Sequence, residues 1–168
     1  DDALSRGLGD VYKRQDLSNI LSLVRDSNRP VIIGGHGVWW SQTEQALASA
    51  ATKLKIPIFN VPYHTKLLGE DCSAMMGLAD FHQYHPSKEA IQEADVILMV
   101  GCKLDNQMNF GNPPLFPKNS RLICINGSPE ELEQNRSADQ ILLSDPSAFM
   151  EALMDFGKSR TSRERGKW

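Results

Sequence analysis

The sequence predicts an α/β fold in which a parallel sheet carries helices on both faces. Three observations lead there. Short apolar runs recur at 31–34, 56–61, 95–101, 121–125 and 141–143. Segments with apolar residues at helical spacing separate them, so strands and helices alternate. The run Val96-Ile97-Leu98-Met99-Val100 is apolar at every position, the pattern of a central strand covered on both faces. With right-handed crossovers this gives a Rossmann-like sheet in three layers, α/β/α.

The 168 residues make one domain by length and suffice for a real core. A net charge of −3 gives no cause to expect nucleic acid or an anionic membrane as partner. No apolar run is long enough for a membrane span, and no secretory leader is visible. Cys72, Cys102 and Cys124 are widely spaced, without a Cys-x-x-Cys pair or a zinc pattern. Cys102 and Cys124 read as buried small hydrophobes in a reducing compartment, and the expected location is cytoplasmic. At the ends, Asp10–Gln15 looks like the translated read of a transposon end used in preparing sequencing libraries. Residues 1–15 are therefore expected to be a non-native leader. Residues 158–168, basic and almost without apolar side chains, read as a solvated linker toward a further domain. That leaves 16–157 as the folded unit.

Within it, Asp16 is placed to cap a helix with Leu17, Ile20, Leu21 and Val24 on one face. Pro30 separates this helix from the first strand, 31–34. Gly34, Gly35 and Gly37 follow at once, and Ser41 and Glu44 stand at capping-box spacing. They open a helix with Ala46, Leu47, Ala50, Ala51 and Leu54 inward. Strand, glycine turn and helix start form the first βα unit of a nucleotide-binding sheet, where backbone N–H groups approach a ligand and the helix N-terminus favours an anion. The dinucleotide fingerprint is incomplete, because Trp40 stands where its third glycine belongs. A tight turn in any α/β protein explains the same glycines.

The second strand is 56–61, followed by an irregular segment in which Glu70 and Asp71 read as a turn. Ser73–Ala79 is ambiguous, with Met75, Met76 and Leu78 as candidate core and Gly77 as a candidate close-approach point. A helix near Pro86 turns Ala90, Ile91 and Ala94 inward. After strand 95–101 a polar loop with Lys103, Asp105, Asn106 and Gln107 runs on through Phe110-Gly111-Asn112-Pro113-Pro114. After strand 121–125, Asn126-Gly127-Ser128 turns the chain into another helix, with Ser128 as N-cap, Pro129 at the first position and Glu131 completing a second capping box. After strand 141–143, Asp145 and Pro146 start a helix with Phe149, Met150, Leu153 and Met154 inward and Gly157 at its end.

Ligands of such sheets bind outside the C-terminal strand ends. The candidate binding residues are Gly34, Gly35, Gly37, Trp40, Gly101, Lys103, Asn126 and Ser128. The glycines offer N–H groups to phosphate and Lys103 offers charge. Asn126 and Ser128 are placed toward a ribose. Trp39 and Trp40 read either as core caps or as a platform for adenine. Lys103 and Asp105 read as acid–base candidates or as a binding or solvated loop. His82 and His85 are three apart, but two histidines without acidic partners make a poor metal site. There is no Ser/His/Asp arrangement, P-loop or kinase set. No catalytic residue and no metal ligand is assigned.

At this point the residues match a known pattern. The pieces are Arg29-Pro30-Val31-Ile32-Ile33-Gly34-Gly35, Lys53-Leu54-Lys55-Ile56-Pro57 and Gln92-Glu93-Ala94-Asp95-Val96-Ile97-Leu98, then Gly101-Cys102-Lys103-Leu104-Asp105 and Ile123-Cys124-Ile125-Asn126-Gly127-Ser128-Pro129-Glu130-Glu131. In order and spacing, residues 29–154 resemble the central domain of thiamine-diphosphate-dependent enzymes of the acetolactate synthase type. Gly35-His36-Gly37 and Phe110–Pro114 look closest to the 2-hydroxyacyl-CoA lyase and oxalyl-CoA decarboxylase branch.

The resemblance implies a parent lyase or carboligase acting on 2-keto acids or 2-hydroxyacyl-CoA. It implies thiamine diphosphate and Mg2+ held by flanking N- and C-terminal domains, and assembly as a homo-oligomer. For this domain it implies FAD, ADP, part of CoA or no ligand. Two departures stand out. Synthases proper carry an arginine and two aspartates after the strand at 95–101, and this loop reads differently. Where the family often has Asp-x-Asp-Pro, this chain has Asn126-Gly127-Ser128-Pro129, which removes the usual acceptors for ribose hydroxyls. The other readings are a stand-alone FAD-, NAD- or ADP-binding module without thiamine chemistry, and a structural domain with an empty crevice.

Overall fold

The computed structural model describes residues 2–62, 67–68, 71–82, 88–132 and 135–158, and side chains within them from 13 to 156. In chain order the elements are α1 (Asp2–Asp26), β1 (Pro30–Gly34), α2 (His36–Trp40), α3 (Glu44–Leu54), β2 (Ile58–Asn60), β3 (Met75–Leu78), α4 (Lys88–Gln92), β4 (Val96–Val100), β5 (Arg121–Asn126), β6 (Gln140–Leu143) and α5 (Pro146–Lys158). The six strands form one parallel sheet in the order β3-β2-β1-β4-β5-β6. Chain direction across the sheet reverses between β1 and β4, which makes their C-terminal ends the topological switch point.

Alternation along β1 and β4 builds two cores. Ile32, Leu98 and Val100 face Ile20 and Val24 of α1, Leu47 of α3, and Phe149 and Leu153 of α5. Val31, Ile33, Ile97 and Met99 face Ile91 of α4 and the loop residues Leu115 and Phe116. The result is the expected three-layer, Rossmann-like sheet. Each fully buried side chain of this size stabilises by about 1.5–3 kcal/mol. At the N-terminal edge the Asp95 carboxylate accepts the N–H groups of Asn28 at 2.7 Å and Arg29 at 3.0 Å. Arg29 also pairs with Glu93. The turn into β1 is thereby tied to the turn into β4.

Several local expectations are corrected. Asp16 lies inside α1 and is not its N-cap. Pro30 is the first residue of β1, opposite Val96, a strand position that proline tolerates. The second strand is only Ile58–Asn60. The ambiguous stretch contains edge strand β3, on which Met75 packs inward while Met76 and Leu78 are exposed. Its four residues are too few to show a clear period.

The first capping box does not form. The chain enters α2 directly from the glycines, and the Ser41 hydroxyl donates back to Gly37 O at 2.7 Å. Thr43 precedes α3 without a side-chain cap. The second box does not form either. Ser128 Oγ donates to Glu130 at 2.7 Å, and Pro129–Glu131 is a single 3-10 turn. Asp145 does cap α5, accepting Ser147 N–H at 2.8 Å, and α5 runs one residue past Gly157. Asp71 lies in a turn. Glu70, His85 and residues 159–168 are outside the described residues.

Candidate functional site

The C-terminal ends of β1, β4 and β5 open on one crevice of about 470 Å³. Small-molecule sites span roughly 300–1,000 Å³. Gly37, Trp40, Gly101, Lys103 and Asn126 line it. Gly34 and Gly35 line an adjoining cleft. Ser128 belongs to neither wall.

The glycines have a structural task that their spacing did not announce. Gly35 N–H donates to Val100 O at 3.0 Å, and Gly37 N–H to Gly101 O at 2.8 Å. A Cβ on Gly35 would stand 2.4 Å from Cys102 Cβ, and one on Gly37 would stand 2.6 Å from Gly101 Cα. Gly101 itself has φ +60. The turns leaving β1 and β4 therefore pack backbone on backbone, and the N–H groups of Gly35 and Gly37 are engaged there.

Trp39 and Trp40 are 41% and 74% exposed and meet edge to face at 4.7 Å, so neither is core. Lys103 is exposed. Asn126 is buried: its Nδ2 donates to Glu131 Oε2 at 2.8 Å, and its Oδ1 accepts Ser128 N–H at 3.0 Å. This holds Glu131 in the crevice wall, together with His36, Cys102 and Asp105. Capping-box spacing alone assigns Glu131 to a helix start. The signal that finds it is its position five residues past the end of β5, on the side of the sheet where ligands bind. Asp105 also organises its own loop, accepting Gln107 N–H at 3.0 Å.

Burial pushes the Cys102 thiol well above its ordinary range, with neighbouring Cys124 and the carboxylates of Glu131 and Asp105 adding to the shift. Burial pushes Cys124 up to about 11. Both stay protonated at neutral pH, as free small hydrophobes should. Among the described residues no group of three His, Cys, Asp or Glu could hold a metal ion. The chain contains no Gly-Asp-Gly. With one lysine and no metal-holding group among the described residues, the crevice is not built to hold thiamine diphosphate together with magnesium.

Residues 17–153 match the thiamine pyrophosphate enzyme central domain. The chain belongs to this family. It is 23% identical over 158 residues to a probable acetolactate synthase large subunit of Methanococcus aeolicus, covering 89% of this chain and 25% of that protein. It is 28% identical over 134 residues to 2-hydroxyacyl-CoA lyase 1 of Mus musculus, covering 80% and 22%. A 2-hydroxyacyl-CoA lyase of Arabidopsis thaliana is 29% identical over 123 residues, covering 71% and 20%. This central domain thus spans a fifth to a quarter of the length of these relatives. No helix among its described residues is long and apolar enough to cross a membrane.

Proposed function

We propose that this chain is the central domain of a thiamine-diphosphate- and Mg2+-dependent lyase or carboligase acting on 2-keto acids or 2-hydroxyacyl-CoA. The observation that carries this is the family match over residues 17–153, with both synthases and 2-hydroxyacyl-CoA lyases among its relatives. Breaking or making a carbon–carbon bond next to a carbonyl is the cofactor's chemistry, supplied when it is bound by the flanking domains. In this reading the whole enzyme is a cytoplasmic homo-oligomer.

The central domain's own part is a nucleotide-type crevice that takes an ADP-like group, free or as part of CoA, in preference to FAD. Lys103 supplies a charge for the diphosphate and Trp40 an exposed face for adenine. Glu131 and Asp105 offer acceptors to the ribose hydroxyls, replacing the carboxylates missing at Asn126 and Ser128. The likeness of Gly35-His36-Gly37 and Phe110–Pro114 to the CoA-using branch supports the same choice.

The test is to purify the full-length protein, assay it with thiamine diphosphate and Mg2+, and titrate it with ADP and FAD by calorimetry. The expected result is turnover by the full-length protein and none by this chain alone. A colourless protein that binds ADP is also expected, with Lys103→Ala weakening binding by about fivefold or more, as loss of a charge-assisted contact should. Release of FAD on denaturation would overturn the choice of ADP. Inactivity of the full-length protein on both substrate classes would overturn the enzymatic assignment.

A further inference from the structure

Among the described residues, Asn60 Oδ1 and Asp80 Oδ2 are buried side-chain oxygens with no hydrogen-bond partner. Asp80 is half satisfied, since its Oδ1 accepts His82 N–H at 2.8 Å. Asn60 stands at the C-terminal end of β2, beside the crevice, and is only 5% exposed. In the sheet its backbone carbonyl accepts Ala79 N–H at 2.8 Å. Its side chain walls a cleft of about 10 Å³ with Gly34, Gly35 and Trp39. His36 and Val61 border both this cleft and the main crevice, so the two are neighbouring parts of one site.

The physical conflict is specific. An apolar residue at this strand end would join the core without cost, whereas a buried carbonyl oxygen without a donor is destabilising. The cleft has room for about one heavy atom, the volume of a water or an amino group. Trp39, on the same wall, meets Trp40 edge to face at 4.7 Å, so the cleft adjoins the ring that offers its face to adenine.

Resting on the ADP-like reading of the crevice, we propose that Asn60 reads the base. Its Oδ1 accepts the exocyclic amino group of adenine, as asparagine carboxamides do elsewhere when they read adenine edges. A 6-oxopurine places a second acceptor against this oxygen, so the site selects adenine over hypoxanthine.

The experiment is calorimetric titration of this chain with ADP and IDP, in wild type, Asn60→Leu and Asn60→Asp, with the unfolding midpoint of each variant measured alongside. The expected result is ADP at least tenfold tighter than IDP in wild type. Asn60→Leu should bring the two within twofold, and Asn60→Asp should retain the preference. Equal wild-type affinities, which need no variant, would overturn the inference and leave Asn60 meeting only a water. A preference that survives Asn60→Leu would also overturn it. If neither nucleotide binds, the nucleotide reading of the crevice fails and this inference fails with it, an outcome distinct from equal binding.

Discussion

The backbone N–H of Gly37 donates to the carbonyl of Gly101 at 2.8 Å, and a Cβ on Gly37 would lie 2.6 Å from the Gly101 Cα. Sixty-four residues apart in sequence, these glycines hold the two turns of the switch point in contact and so set the floor of the crevice.

Gly37→Ala is therefore expected to destabilise the domain by about 1–3 kcal/mol, the usual cost of overpacking against atoms that cannot move aside. Gly127→Ala is the control, because a Cβ there meets nothing within 4 Å. Urea unfolding reads the difference as a lower midpoint at unchanged slope for Gly37→Ala and a nearly unchanged midpoint for Gly127→Ala.

Asp95 ties the turns at the opposite edge of the sheet. Asp95→Ala removes the acceptor for both Asn28 N–H and Arg29 N–H and should cost about 1–3 kcal/mol. Asp95→Asn retains one acceptor oxygen and should lose roughly half as much. Equal midpoints for wild type and Asp95→Ala would show that water replaces the carboxylate without loss.

Alkaline pH should weaken the fold. The Cys124 thiol is pushed by burial from 9.0 to about 11, with Arg136 opposing the shift. Between these values the unfolded chain releases the proton while the folded protein keeps it. The folded state then binds more protons, so stability falls as pH rises, by about 1.4 kcal/mol per pH unit for this group. The contribution is fully present below pH 9.0 and is lost by about pH 11. Cys102 acts in the same direction. Unfolding midpoints followed across this window should slope downward in wild type and less steeply in Cys124→Ala.

Residues 1–15 are proposed to be dispensable. Among the described side chains of α1, those that pack on the core are Leu17, Ile20, Leu21, Leu23 and Val24. Removing the first fifteen residues should change stability by less than about 1 kcal/mol, the range of changes outside packed features. A larger loss in thermal unfolding would show that this segment packs.

Local patterns in the sequence by themselves placed five strands of the sheet, all but the edge strand β3. Val96–Val100 reads as a central covered strand because every residue is apolar, and it is fully buried beside β1 and β5. Leu47, Ala50, Ala51 and Leu54 read as an inward face because helical spacing is local, and all four are buried. The order of motifs from Arg29 to Glu131 likewise carried the family. Tertiary structure alone decided the walls of the site. Gly37 meets Gly101, Asn126 turns Glu131 into the crevice, and Asn60 brings an unpartnered oxygen to the neighbouring cleft. Ser41 and Ser128 matched a capping pattern, yet each bonded another nearby partner. A hydroxyl takes whichever acceptor the folded backbone brings nearest, and contacts between residues distant in sequence leave no period along the chain.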